Sequence, residues 1–157
     1  MAKRMHKGDD DWVAETRATI EQHGWMIQGV FGDTHCWGYT VGLSEGFNHP
    51  ELVMADACCP KCVGYVLNSL GELVRAGRQL DHGDLLADTS GRILRLSDVH
   101  RDNFETGVFA VWTGYHRSLG PPYPEERALE VVYPEGQPLL SVPVVSTDKG
   151  FRSVTDD

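Results

Sequence analysis

His49-Pro50-Glu51 is the stretch of this chain whose residue types and spacing best suit chemistry. The proline biases His49 toward an extended backbone. The apolar run Leu52-Val53-Met54-Ala55 that follows reads as a short buried strand. Residues two apart in a strand share a face, so the imidazole of His49 and the carboxylate of Glu51 can act together. Such a pair suits general acid–base work or metal binding. Tyr39 can supply a hydrogen-bonding hydroxyl. His49, Glu51 and Tyr39 are therefore the candidate catalytic residues. The alternative is a loop-capping histidine beside a solvated glutamate. Polar groups at a strand entrance reach water, so removing either is expected to cost on the order of 1 kcal/mol or less.

A second candidate surface precedes them. From Cys36 to Leu43 the chain alternates. Trp37, Tyr39, Val41 and Leu43 form a large apolar face. Cys36, Gly38, Thr40 and Gly42 form a nearly bare one. Glycine inside a strand marks close approach by a ligand or by another part of the chain. Gly38, Thr40 and Gly42 are thus candidate ligand-binding residues, with a helix resting on the small face as the other reading.

The third candidate is sulfur chemistry. Of the four cysteines, at 36, 58, 59 and 62, three crowd into Cys58-Cys59-Pro60-Lys61-Cys62. Cys59 and Cys62 have the spacing of a redox pair or half a zinc site at a helix start. No second C-x-x-C supplies the missing half, so no stoichiometric zinc is expected. Cys59 and Cys62 remain the metal candidates, against the reading of small residues buried at a strand–helix junction.

The elements that must position these residues follow from periodicity. A helix is predicted from Asp10 to His23, after a flexible N-terminus over residues 1–9, with Gly24 closing it. Trp25 to Phe31 alternates as a strand, and Gly32-Asp33-Thr34 signals a turn. Ser44 to Asn48 reads as a polar loop. Val63, Val66, Leu67, Leu70, Leu73 and Val74 recur at helical spacing, which predicts a helix from Pro60 to Gly77. Leu85 to Leu96 reads as a hairpin turning at Thr89-Ser90-Gly91. Another helix is predicted from Asn103 to Arg117, with an aromatic stripe. Strands follow at 128–133 and 139–145, then a polar tail over 146–157. The expected architecture is one α+β domain over residues 10–145, with a largely antiparallel, curved sheet and two or three packed helices.

Composition narrows the function classes. The chain has 157 residues, 41% hydrophobic, and a net charge of −9. That charge argues against nucleic acid, whose phosphates need clustered Lys and Arg, and against anionic membrane surfaces. No apolar run approaches the roughly 20 residues of a membrane span. The N-terminal stretch has no apolar h-region. The expectation is an acidic, cytoplasmic protein whose partner is a small molecule or a protein, a second copy of the chain included.

The runs HGWMIQGVFGD and WGYTVGLSEGFNHPELV resemble the DUF4262 family of small bacterial and phage proteins. So do Leu67-Asn68-x-Leu70, Leu80-x-x-Gly83 and the late strand Leu129 to Pro134. The resemblance spans roughly residues 20 to 140. Where many members carry a Pro-Trp segment, this chain has Gly136-Gln137-Pro138. The resemblance implies a fold and a surface around Tyr39, Gly42, His49 and Glu51. It implies no activity and no cofactor. Residues alone leave three functions open: a small-molecule-binding protein or enzyme using a His49/Glu51 groove, a non-catalytic interaction module, or a cysteine-cluster metal or redox protein. No phosphate loop, G-x-S-x-G or H-E-x-x-H identifies a substrate.

Overall fold

The computed structural model describes residues 7–31, 35–57, 59–88, 90–147 and 150–154. Its centre is a pair of strands, β3 (Glu51–Ala57) and β6 (Ala128–Val132), that lie side by side in parallel with Glu51 opposite Ala128. Leu52, Val53, Met54 and Ala55 are all buried. A continuous apolar run is what a strand covered on both faces requires. β1 (Met26–Phe31) and β2 (Cys36–Val41) extend the sheet on one side. β5 (Ile93–Asp98) and β4 (Leu85–Ala87) extend it on the other, giving the order β1-β2-β3-β6-β5-β4. The fold is α+β, as expected. Apart from β3 with β6 the pairings are antiparallel, so the main sheet is mixed. The parallel pair arises because the chain leaves β3 through two helices and a hairpin before returning in the same direction.

α3 (Pro60–Arg75) covers one face. Its Val63, Leu67, Leu70 and Val74 join Leu52, Met54, Leu96 and Leu129 in one core. The other face carries α4 (Ala110–Leu119), a 3-10 turn (Arg101–Phe104) and α1 (Lys7–His23). There Phe104, Phe109, Trp112 and Tyr115 meet Trp37, Tyr39, Val41 and Val53.

Four sequence expectations need correction. The described residues hold four α-helices rather than two or three, because most of the stretch 44–48, read as a loop, belongs to the short α2 (Leu43–Phe47). Gly42 ends the strand before it at φ 126°. A side chain there would meet the Trp25 Cα at 3.0 Å. Leu43 therefore leaves the face of Trp37, Tyr39 and Val41 and enters the opposite core. The helix expected over 103–117 is divided, with Gly107 at φ 93° between its two pieces. The tail expected from 146 instead pairs β7 (Val144–Thr147) with β8 (Gly150–Ser153). Phe151 of β8 meets Trp37 edge to face at 4.9 Å.

At the N-terminus α1 already includes Lys7 to Asp9. The rest of the expected flexible segment, the turn 32–34, Thr89 and the last three residues lie outside the described residues. Among the described residues, no helix is long and apolar enough to cross a membrane.

The small face of β2 is covered. A Cβ on Gly38 would meet Val63 Cγ1 of α3 at 2.7 Å and the Gln28 carbonyl oxygen at 2.8 Å. Gly38 thus admits close packing of chain on chain, which corrects its reading as an open ligand floor. The backbone contact cannot yield as a flexible side chain would. Gly38→Ala should therefore destabilise the protein by about 1–3 kcal/mol in denaturant melts. An unchanged midpoint would mean that the face is open.

Candidate functional site

Glu51 is fully buried, and its carboxylate gathers donors from three parts of the chain. Oε1 accepts from the Thr40 hydroxyl at 2.7 Å and the Leu43 N–H at 3.2 Å. Oε2 accepts from the N–H groups of Gly42 at 3.2 Å and Ser44 at 3.0 Å, the Ser44 hydroxyl at 2.6 Å and the Trp112 indole at 3.1 Å. Burial raises its pKa above the usual carboxylate value, and the donors oppose that rise. A surround made of donors complements the carboxylate form. Thr40 is itself fully buried and accepts from the Leu52 N–H at 2.9 Å. Thr40 and Gly42, expected as ligand contacts, thus serve Glu51.

His49 sits nearby but is not joined to Glu51 by a hydrogen bond. Its Nδ1–H donates to the Pro50 carbonyl at 2.8 Å, and Nε2 accepts from the Leu80 N–H at 3.0 Å. These bonds fix the neutral tautomer, and burial lowers the pKa below the ordinary imidazole value. The expectation that both groups reach water is corrected: each is buried and engaged in its own network. Tyr39 lies under α4. Its hydroxyl accepts from the Val111 N–H at 3.0 Å, in the first turn of a helix whose N-cap residue, Phe109, has no capping side chain. Burial pushes the phenol up to about 12.

Beyond Trp112 lies a cavity of about 800 Å³, between α4 and the segment 123–127. His116 and Thr113 line it. His116 Nε2 and Thr113 Oγ1 are both buried without a hydrogen-bond partner. Burial alone pushes His116 down to about 4. At the rim Arg101 pairs with Glu126 at 3.3 Å and Arg127 with Glu125 at 3.3 Å. A smaller polar cavity of about 350 Å³ adjoins it and is lined by Ser44, His49 and Arg127.

Sequence reasoning passed over His116 and Thr113. The signal available was Thr113 and His116, three apart, interrupting an aromatic stripe. The cysteines stand elsewhere, at the start of α3, with Cys59 Sγ and Cys62 Sγ 3.0 Å apart. Cys58 lies outside the described residues. Among the described residues no group of three or more His, Cys, Asp and Glu side chains is arranged to hold a metal ion.

A family model described as a domain of unknown function, DUF4262, matches residues 19–138. The chain belongs to the DUF4262 family. No curated protein and no solved structure matches it. The DUF4262 match takes in the Glu51 network, His49, the cavity and the cysteine pair, while β7 and β8 lie beyond it.

Two predictions follow from these environments. Glu51→Ala strands several buried donors and should cost about 3–5 kcal/mol. His49→Ala, which strands the Leu80 N–H, should cost about 2 kcal/mol. Denaturant melts measure both, and losses below about 1 kcal/mol would restore the solvated reading.

The second concerns acid. The fold disfavours protonated His116, so its contribution is intact above the unfolded pKa of 6.5 and is lost as pH falls toward about 4. Burial of His49 acts in the same direction. Wild type should lose on the order of 2 kcal/mol more than His116→Phe across that window. Parallel stability curves for the two proteins would refute this.

Proposed function

We propose that this DUF4262 domain binds a small molecule in the cavity beside α4. The observation that carries the reading is an 800 Å³ cavity whose lining joins Trp112, His116 and Tyr123 to the exposed Arg117. The volume falls in the range of small-molecule sites.

The lining suggests the ligand's chemistry. Trp112, Tyr123 and Pro124 offer aromatic and apolar surface. Two of the three rim arginines are held by glutamates. Arg117 is exposed and has no ion-pair partner among the described residues. An aromatic or apolar body with one anionic group fits this surround. Burial keeps His116 neutral at physiological pH, so the lining adds no second positive charge there.

Tyr39 and Glu51 act as positioning residues in this reading. Tyr39 holds the first turn of α4, and Glu51 holds the Trp112 indole. Binding is favoured over turnover because the polar atoms of His49 and Glu51 are already engaged.

Anilinonaphthalene sulfonate carries an aromatic body and one anion, and its fluorescence reports binding. Wild type should bind it saturably at one site. Arg117→Ala should weaken binding about tenfold, or ~1.4 kcal/mol, without changing the melt. Thr113→Trp, which fills the cavity, should abolish it. Equal binding by all three proteins would dismiss the cavity as the site.

A further inference from the structure

The structure assigns a second site, independent of the cavity: we infer that Cys59 and Cys62 form a thiol–disulfide exchange pair that reacts with low-molecular-weight disulfides. The argument is geometric. Cys59 is the N-cap of α3, with extended backbone at φ −166°, and Pro60 opens the helix. Proline is pre-organised for that position. The first turn then brings Cys62 back over Cys59, with its N–H donating to the Cys59 carbonyl at 3.1 Å. The two sulfurs end 3.0 Å apart, close enough to bond after a small side-chain rotation.

Access and electrostatics agree with the distance. Both cysteines are half-buried, so a small disulfide can reach them. Lys61, between them, is exposed. The pair sits at the positive end of a sixteen-residue helix, whose dipole favours negative charge. Cys36, by contrast, lies on a strand with no such surround.

The exchange balances in two displacements. One cysteine thiolate attacks a sulfur of the small disulfide, forming a mixed disulfide and expelling one small thiolate. The second cysteine thiolate attacks the protein sulfur of that adduct, forming the Cys59–Cys62 bond and expelling the other. The protein loses two electrons and two protons, and the small disulfide is reduced to two thiols.

Incubation with oxidised glutathione tests this directly. Wild type should lose two alkylatable thiols. Peptide mapping should place the new bond between Cys59 and Cys62, and reduced glutathione should reverse it. Cys62→Ser and Cys59→Ser should each stop at a persistent glutathione adduct. Three outcomes would overturn the assignment: no loss of thiols in wild type, a bond mapped to Cys36 or Cys58, or one zinc ion per wild-type chain that disappears in Cys59→Ser.

Discussion

A buried carboxylate holds this fold together at its tightest corner. Removing Glu51 from water is expensive unless donors replace the solvent. Here they come from β2, from the β2–α2 turn and from α4. The side chain thereby ties the end of β2 and the turn after it to α4, which lies far along the sequence. Glu130, on the neighbouring central strand, repeats the device. It is buried and accepts from the Leu139 and Leu140 N–H groups at 2.9–3.0 Å. Each central strand thus carries one acid whose bonds secure a backbone segment that lacks strand partners of its own.

The position of α4 depends on the first of these acids. Tyr39 supplies the cap its N-cap residue does not provide, and Trp112 is held by Glu51 and by Ser44 Oγ at 3.1 Å. With Trp112 fixed, the following turn of α4 places Thr113 and His116 on the cavity wall. Of the residues that looked catalytic from the sequence, Tyr39 and Glu51 therefore stand one layer behind the cavity, where they hold α4, whose residues line it.

What was legible in the sequence was local. The alternation Trp37, Tyr39, Val41 marked a real face, and the 63–74 spacing marked a real helix. His49 and Glu51 were visible as unusual residues at a strand entrance. Their partners were not, because hydrogen bonding to Leu80 and Trp112 depends on tertiary return of the chain. Two glycines misled the reading for a physical reason. Gly42 and Gly107 adopt positive φ and break patterns that their neighbours' side chains would have continued. The cavity was illegible because it lies between a helix and an irregular segment, neither of which announces the space it leaves.

The parallel contact between β3 and β6 has a kinetic consequence. β1 to β3 form a meander of short-range pairings, and β4 with β5 is a hairpin. Both can zip early, because the loops they close are short. Joining the two halves requires Glu51 to meet Ala128 across about half of the chain. That closure loses the most chain entropy, and its reward comes only when both central strands are in register. The step that completes the sheet therefore also brings the Glu51 side chain and α4 together. The proposed binding cavity and the long-range closure of the sheet thus depend on one assembly.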